Sequence, residues 1–455
     1  MNADKLYEDA LVAYGKGAWE DALELFEHAI FANERHVGAW HMRGLVEDKL
    51  GRPFNALMHL TQALSLEQTQ ALWCNRGVIT GKLNQLEEAE ECFLNALKYG
   101  SAYEPHQNLG DLYIRLMRLE DAKKQYEKAI ECNPRDHGAH ENLGRVQIAL
   151  GDWKTGYREM YWRHKGPLTC ITRQYYKAWD GQNLFDRTIF VYPEGGLGDE
   201  ILDLRYALAL RDKYPQAKVI LGARPATYRI IKNSLQGRNI TVIPQYDEPP
   251  TKVDVCVGIS DLPQFLHINP TNIPYKKGYL VPQFGPPFDL PKGLKVGLCW
   301  LSGKRPLQKW TDRIQKAKSI PLSALSPLFE HKQAVTFISL QLDRSDPTVM
   351  RRLNLVNPMD QVEDLGDTAR LMQQLDLIIS VDTSVPHLAG ACGFPVWNLV
   401  RFDEITTYPG ALKFYDSMTF YRQTSPLSWD ETLQKLFTDF DKWVNEHDTQ
   451  REAAE

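Results

Sequence analysis

Glycine recurs at nearly constant spacing in the first third of the chain. It stands at Gly44, Gly77, Gly110 and Gly144, and a second small residue follows each one twelve positions later. A repeat of this length accommodates two antiparallel helices, and the small residues let those helices approach closely. No single copy can bury its apolar face alone, so the copies must stack. The other recurring positions are Ala56, Ala89, Ala122 and Gly156; Ala63, Ala96 and Ala129; Leu60, Phe93 and Tyr126; and, in an earlier copy, Ala10, Ala22, Phe26 and Ala29.

A different pattern begins after the segment WDG at residues 179–181, where short β-branched runs alternate with helical stretches. Such strands, joined by helices, predict parallel sheets that are covered on both faces. A proline- and glycine-rich stretch divides the runs into two sets and predicts two lobes with a cleft between them. Ligands bind at the carboxyl ends of the strands in sheets of this kind. The runs are 188–192, 218–221, 240–243 and 253–257, then 295–300, 335–340, 375–381 and 395–400.

The first loop expected at this cleft is the segment EGGLGDE, residues 194–200, between a strand and a helix around 201–210. Its glycines let the backbone approach a ligand, and the helix N-terminus favours negative charge on that ligand. Asp199 is a candidate general base that takes a proton from an acceptor hydroxyl. The alternative is a tight turn in which Asp199 only caps the helix.

The second loop is basic in a chain whose net charge is −5. It contains Lys304 and Arg305, and Lys318 follows. Cations at a strand end suit a diphosphate leaving group, whose negative charge grows during glycosyl transfer. The alternative is a solvated charged loop.

The third loop spans residues 380–390, directly after a predicted strand. Asp382 or Thr383 can cap the following helix, whose backbone N–H groups can receive phosphate oxygens. His387 lies near the same edge. The alternative for His387 is a core histidine that is hydrogen-bonded to the backbone.

The composition argues against several classes of protein to which the chain could belong. A net charge of −5 argues against a surface built to grip polyanions. The chain has no apolar run of signal-peptide or membrane-spanning length near its start or elsewhere. Seven scattered cysteines without a CxxC pair predict neither a zinc site nor a disulfide framework. The expected location is the cytoplasm.

The repeats resemble the tetratricopeptide family over residues 3–165. The remaining segments resemble the heptosyltransferase-like (family 9) glycosyltransferases, in the bacterial and phage form that is fused to such repeats. The resemblance rests, in chain order, on residues 151–153 (GDW), 161–163 (YWR), 179–181 (WDG), 194–199, 205–206 (RY), 319–322 (SIPL), 337–341 (FISLQ), 367–369 (DTA), 381–390 and 395–397 (PVW).

This resemblance implies an α + α/β fold, with a helical solenoid followed by a GT-B domain of two Rossmann-like lobes. The implied boundaries are 3–165 for the repeats, 166–290 for the acceptor-side lobe, 291–425 for the nucleotide-sugar lobe and 426–455 for a C-terminal helix and tail.

The resemblance also implies an inverting glycosyltransferase that needs no metal and no cofactor beyond its nucleotide-sugar co-substrate. Asp199 is then the general base, and Glu194 and Arg205 lie on the acceptor side. The residues expected at the donor are Gly196, Gly198, Lys304, Arg305, Lys318, Gln341, Asp382, Thr383, Ser384 and His387. The acceptor stays open between a saccharide or glycolipid, a protein, and a modified base in phage DNA. The repeats are expected to bind a protein partner or to self-associate.

The chain departs from the family at three places. Lys318 stands where relatives usually have arginine. Lysine keeps the positive charge but cannot form the two-pronged hydrogen bonds of a guanidinium group. The loop after Val400 differs from the usual tryptophan- and arginine-rich segment, so the donor stays undefined. Glu200 places a second carboxylate beside Asp199 and is expected to raise the pKa of Asp199 by repulsion. Two other classes of function therefore stay open, namely a non-catalytic repeat scaffold and an enzyme such as an epimerase that uses nucleotides in a similar frame.

Overall fold

The chain forms two compact units, Met1–Val146 and Gln147–Glu455. The computed structural model describes residues 2–100, 103–166, 175–245, 250–282, 285–303, 317–342, 347–405, 413–426 and 428–452.

The first unit is a series of helical hairpins. Several of its helices begin at sequence-encoded caps: the Asn2 side chain accepts the N–H of Asp4, and the Thr69 hydroxyl accepts the N–H of Leu72. Pro53 begins one helix, where a missing N–H costs nothing. The helices are α1 (Ala3–Gly15), α2 (Trp19–Ala32), α3 (Val37–Lys49), α4 (Pro53–Leu66), α5 (Gln70–Lys82), α6 (Leu86–Ala96), α7 (Tyr103–Arg115), α8 (Leu119–Cys132) and α9 (His137–Ala149).

The recurring glycines lie where the two helices of a hairpin touch. A Cβ atom at Gly77 would lie 2.5 Å from the Phe93 ring, and one at Gly110 would lie 2.6 Å from the Tyr126 ring. Both rings are almost fully buried. The predicted stack of helical hairpins is therefore confirmed, since the large residue of each copy fills the space that the glycine leaves.

We expect Gly110→Ala to destabilise the chain by about 2 kcal/mol, because the added methyl group overpacks the contact with Tyr126. Gly15→Ala is the matched control, since a Cβ at that helix terminus meets nothing within 4 Å. Thermal unfolding of both full-length variants, followed by helical circular dichroism, compares them. Equal midpoints would refute the packing role of Gly110.

The boundary between the units falls inside the last hairpin. Helix α10 (Trp153–Met160) begins at Asp152, whose carboxylate accepts the N–H of Thr155 at 3.1 Å. Trp153 is buried and stacks on Phe414, with 6.3 Å between ring centroids. The resemblance ends the repeats at residue 165, whereas the compact division lies at 146/147, because α10 packs into the core of the second unit.

A four-stranded parallel sheet occupies the first half of the second unit. Its strand order is β3-β2-β1-β4. The strands are β1 (Thr188–Tyr192), β2 (Lys218–Ala223), β3 (Ile240–Pro244) and β4 (Val255–Gly258). The accompanying helices are α11 (Leu197–Lys213), α12 (Pro225–Ser234) and α13 (Leu262–Leu266).

A second parallel sheet follows, with six strands in the order β10-β9-β8-β5-β6-β7. The strands are β5 (Leu294–Cys299), β6 (Val335–Ser339), β7 (Leu355–Val356), β8 (Leu377–Val381), β9 (Val396–Val400) and β10 (Met418–Arg422). Its helices are α14 (Pro347–Arg352), α15 (Leu365–Met372), α16 (Ser384–Cys392) and α17 (Asp430–Glu452). The predicted parallel sheets are confirmed. Sequence reasoning missed β7, which has two residues, and the edge strand β10, whose partly exposed residues break the continuous apolar pattern.

Two contacts join helices of the first sheet to helices of the second. Helix α11 packs against α16. Arg229 on α12 donates to both carboxylate oxygens of Asp364, at 2.5 and 2.7 Å, and to Asp367 at 2.6 Å. Because Asp364 also caps α15, this two-pronged ion pair ties the start of that helix to α12.

Two expectations from composition concern membranes and disulfides. Within the described ranges, no helix has both the length and the apolar character required to cross a membrane. No disulfide joins the cysteines of that part of the chain. Cys170 lies outside the described residues.

Candidate functional site

The turn between β1 and α11 is built around Asp199. Gly195 has a φ of +65°, and a Cβ there would lie 2.5 Å from Oδ2 of Asp199. Only glycine satisfies both the backbone angle and the space. The N–H of Gly196 donates to the same Asp199 oxygen at 2.6 Å. The carboxylate therefore caps the helix through one oxygen, and the half-buried residue keeps partial contact with solvent.

Arg224 holds this turn from the other side. Its guanidinium donates to the carbonyl oxygens of Gly195 and Gly196, at 2.9 and 3.3 Å, and to Glu200 at 2.9 Å. Glu200 is buried and also accepts the hydroxyl of Thr227 at 2.8 Å. The acidic neighbour of Asp199 is thus engaged in its own ion pair with Arg224.

The turn between β8 and α16 meets the Asp199 turn. Thr383 caps α16, since its hydroxyl accepts the N–H of Val385 at 3.3 Å. A Cβ at Gly198 would lie 2.9 Å from Cδ2 of His387 and 3.5 Å from the carbonyl oxygen of Thr383. Thr383 and Ser384 are half-buried. The structure therefore brings Gly198, and with it the Asp199 turn, against the N-terminus of α16.

Asp382 and Lys318 form a buried ion pair beside this contact. The Lys318 ammonium donates to Asp382 at 2.6 Å and lies 3.6 Å from Glu404, which Arg401 pairs at 3.2 Å. Burial lowers the pKa of Lys318, but the carboxylates of Asp382 and Glu404 outweigh it and the pKa is raised overall. Burial also raises the pKa of Asp382, although Lys318 opposes the shift. The positive charge of Lys318 is therefore compensated within the protein.

His387 is buried between these groups. Its Nε2 lies 3.9 Å from Asp382, and its Nδ1 lies 3.4 Å from the hydroxyl of Tyr415. Burial lowers the pKa of His387 to about 4, while the Asp199 carboxylate acts in the opposite direction. Burial thus favours the neutral form of the His387 imidazole, and the Asp199 carboxylate opposes this effect.

Two residues expected to touch substrates have their polar atoms engaged inside the protein. Arg205 was expected on the acceptor side, but its side chain is fully buried and donates to the carbonyls of Phe414 and Leu202, at 2.6 and 2.9 Å. Gln341 accepts the N–H of Leu301 at 3.0 Å and donates to the Leu301 carbonyl at 3.3 Å. Gln341 therefore positions the loop after β5. Lys304 and Arg305, further along that loop, lie outside the described residues.

A cluster around Glu194 was not found from the sequence. Arg163 donates to Glu194 at 2.9 Å and to Asp261 at 2.7 Å, and His164 contacts Asp261 at 2.8 Å. Gly258 makes room for this arrangement, because a Cβ there would overlap the Glu194 carboxylate. Arg163 and His164 lie in a short 3₁₀ helix (Tyr161–Lys165), and no local signal pairs them with Asp261.

This cluster is also the place where the described residues could hold a metal ion. Single ligand atoms of His164, Glu194 and Asp261 lie within 4.8 Å of one another. The guanidinium of Arg163 already bridges the two carboxylates and supplies the positive charge that a cation would bring. The arrangement therefore fits a salt-bridge network better than a metal centre.

A second carboxylate lies one helical turn after Asp199. Asp203 accepts the hydroxyl of Ser260 at 2.5 Å. Burial raises the pKa of Asp203 to about 7; Ser260 opposes this shift, while Asp199 and Glu194 add to it. Burial likewise raises the pKa of Glu194, and Arg163 offsets the effect only in part. Two carboxyl groups near the Asp199 turn, those of Asp203 and Glu194, therefore have a raised pKa.

We expect Arg163→Met to destabilise the second unit by about 3 kcal/mol, because it leaves the buried Asp261 and the half-buried Glu194 without their cation. Arg158→Met is the matched control, since that side chain is 68% exposed and lies 3.8 Å from Glu159. Urea unfolding followed by tryptophan fluorescence measures both. Identical midpoints for the two variants would show that the ion pairs of Arg163 do not contribute to the stability of the second unit.

The comparison with known families finds matches in the N-terminal helical hairpins. Tetratricopeptide repeat families match residues 71–99, 103–136 and 125–156. The N-terminal region is built from tetratricopeptide repeats. Repeats of this family commonly bind protein partners.

Two curated relatives show different extents of similarity. Protein FlbA of Caulobacter vibrioides is 23% identical over 92% of this chain and 75% of its own length. DnaJ homolog subfamily C member 7 of Mus musculus is 30% identical over 36% of this chain and 36% of its own length. The latter chain is thus matched over about a third of its length.

Solved structures match the chain over about a third of its length. A crystal structure of MamA is 16% identical, with a TM-score of 0.32, over 34% of this chain and 92% of MamA. YrrB, a TPR protein with an unusual peptide-binding site, is 17% identical, with a TM-score of 0.32, over 36% of this chain and 86% of YrrB.

Proposed function

We propose that the second unit transfers a sugar from a nucleotide-sugar donor to an acceptor hydroxyl, with inversion at the anomeric carbon and without a metal ion. In this proposal the two parallel sheets are the lobes of a GT-B domain. The observation that carries it is the contact of Gly198 with His387 and Thr383, which sets the Asp199 turn against the N-terminus of α16. A base and an anion-binding edge are the two parts that such a transfer requires.

In the proposed reaction Asp199 takes the proton of the acceptor hydroxyl. The acceptor oxygen forms a bond to the anomeric carbon, and the bond between that carbon and the diphosphate oxygen breaks on the opposite face. The electron pair leaves with the nucleoside diphosphate. Because the cap uses only Oδ2 of Asp199, the carboxylate retains an oxygen for the proton.

The departing diphosphate needs positive charge. Backbone N–H groups at Thr383 and Ser384 supply partial positive charge at the start of α16. Lys318 is compensated by Asp382 and Glu404, so we assign it chiefly to holding Asp382 in place. The remaining cationic role falls to Lys304 and Arg305, as the family resemblance implies.

The acceptor class stays open in this proposal between a saccharide or glycolipid, a protein recruited by the repeats, and a modified DNA base. The repeats favour a protein partner, since tetratricopeptide arrays present peptide-binding surfaces. The net charge of −5 weighs against DNA.

A second candidate function is a scaffold without catalytic activity. The observation that favours it is that the matched families cover residues 71–99, 103–136 and 125–156, within the repeats and the last hairpin. On this alternative the repeats bind partners, and the parallel sheets serve as a structural module.

We expect Asp199→Asn to lower the transfer rate by roughly 10²–10⁴-fold, because the amide cannot accept the acceptor proton. Asparagine can still accept the N–H of Gly196, so the turn should remain folded and donor affinity should stay unchanged. Sugar incorporation and donor binding are measured separately. Asp186→Asn, at a carboxylate that is 78% exposed, is the control. Full activity of Asp199→Asn would remove Asp199 from the mechanism.

A panel of nucleotide sugars separates the two candidate functions. We expect one donor to raise the midpoint of thermal unfolding, because binding to the folded state alone stabilises it. The same donor should release nucleoside diphosphate. A scaffold shows neither effect, and an isomerised nucleotide sugar without a glycosylated product would indicate an epimerase.

A further inference from the structure

The carboxyl groups of Asp199 and Asp203 are neighbours on one face of α11. Residues four positions apart in a helix have Cβ atoms about 5–6 Å apart. Side chains in a helix lean toward its N-terminus, so Asp203 leans toward the Asp199 turn. Both residues are half-buried and keep contact with solvent. The proposed reaction uses only the first of these two carboxyl groups.

The topology of the first sheet places these groups where such a sheet binds a ligand. The chain passes from β1 outward to β2 and β3, and then returns to place β4 on the other side of β1. Ligands of open α/β sheets bind at the carboxyl ends of the strands that flank this reversal. The Asp199 turn follows β1, and Ser260 lies in the 3₁₀ turn Ile259–Asp261 that follows β4. Asp199 and Ser260 therefore border the position expected for a ligand.

Ser260 fixes one oxygen of Asp203 and leaves the other unused. The Ser260 hydroxyl donates to Oδ2 of Asp203 at 2.5 Å. Within the part of the chain that the structure describes, no group hydrogen-bonds Oδ1 of Asp203. The loop that carries Ser260 is itself held, because Arg163 and His164 bind the next residue, Asp261. Asp203 therefore has a fixed orientation and an oxygen that is available to a ligand.

We propose that Asp203, oriented by Ser260, binds a second hydroxyl group of the acceptor and restricts the acceptor to an uncharged saccharide with two neighbouring hydroxyl groups. This inference rests on the proposed function, because Asp199 takes the proton of the first hydroxyl. It narrows the acceptor classes left open above, and a protein side chain or a modified DNA base as the acceptor would contradict it.

A sugar ring matches the two carboxyl groups in spacing and in chemistry. Each hydrogen bond between a hydroxyl and a carboxyl oxygen spans about 2.7 Å, so hydroxyls on adjacent ring carbons can reach both groups at once. A serine or threonine side chain offers a single hydroxyl and would leave Asp203 unused. A hydroxyl both donates and accepts, so it suits the Asp203 carboxyl group in its ionised and in its protonated form.

The charges around Asp203 disfavour an anionic acceptor. Burial is the largest influence on the pKa of Asp203, and the carboxylates of Asp199 and Glu194 raise it further. The guanidinium of Arg163 is already shared between Glu194 and Asp261. A phosphate group on the acceptor would therefore meet carboxylates whose neighbouring cation is engaged, and like charges in contact are costly.

The test measures the binding of sugars to the full-length chain without a donor, by saturation-transfer difference nuclear magnetic resonance. The probes are methyl α-glucoside, methyl α-galactoside and methyl α-mannoside, followed by the 6-phosphate and the monodeoxy analogues of the one that binds best. We expect the 6-phosphate to bind at least about tenfold more weakly, and removal of one ring hydroxyl to weaken binding about fivefold. Absence of binding by all three glycosides, or equal binding of the 6-phosphate, would overturn the proposal.

Asp203→Ala removes the second carboxyl group, and we expect the best glycoside to bind about tenfold more weakly. Loss of the critical ring hydroxyl should cost nothing further in this variant, because its partner is already gone. Asp203→Asn should restore most of the affinity, since an amide also hydrogen-bonds a hydroxyl. Asp186→Ala, at a carboxylate that is 78% exposed, is the control. If wild type and Asp203→Ala were equally sensitive to the missing hydroxyl, the contact with Asp203 would be refuted.

Ser260→Ala serves if Asp203→Ala fails to fold. It keeps the carboxyl group of Asp203 but removes the hydrogen bond that orients it. We expect the affinity for the glycoside to fall about threefold. An unchanged affinity would overturn the orienting role of Ser260.

Kinetics separate acceptor binding from catalysis. With the donor that stabilises the chain, Asp203→Ala should raise the KM for the glycoside about tenfold and leave kcat nearly unchanged, because the contact is made equally before and in the transition state. If glycosides bind as expected but receive no sugar from any donor, the proposed function fails and the binding site stands. If a serine peptide is glycosylated while no glycoside binds, the acceptor assignment fails and the proposed function stands.

Discussion

The close approach of two helix N-termini is the constraint on which the candidate site depends. Gly198 has no side chain, and only for that reason can α11 reach His387 and the Thr383 carbonyl at the start of α16. Both helix ends carry partial positive charge, so their juxtaposition is unfavourable unless negative groups adjoin them. Asp199 caps one end and Asp382 precedes the other. These two carboxylates offset the repulsion between the helix ends.

Buried charges maintain this geometry. Lys318 pairs with Asp382, Arg224 with Glu200, and Arg163 with Asp261 and Glu194. Buried ion pairs contribute little net stability, because desolvation offsets the attraction, but removing one partner is costly. Each pair therefore resists displacement of the loop that carries it. The turns around Asp199 and Thr383 are held by such pairs and by backbone caps, and the helices that follow them pack into the apolar core through Ile201 and Val385.

Local patterns were sufficient to predict the repeats and most of the strands. The glycine spacing and the continuous apolar runs of β1, β5 and β8 are properties of neighbouring residues, so they can be recognised without coordinates. The edge strand β10 was missed, because its partly exposed side chains lack that continuity. Arg163 and Asp261 were missed as partners because 98 positions separate them, and the YWR motif that contains Arg163 does not indicate its partner.

Spacing and backbone angles are local requirements, so the stacked hairpins, the parallel sheets and the turn residues, including Gly195 and Asp199, follow from the order of neighbouring residues. Tertiary structure alone decided what the charged side chains contact. The family resemblance placed Arg205 on the acceptor side, whereas the convergence of Tyr279 and Tyr415 encloses its guanidinium inside the protein. The physical reason is that burial and electrostatic environment arise from distant segments that meet in space, and no local pattern encodes those meetings.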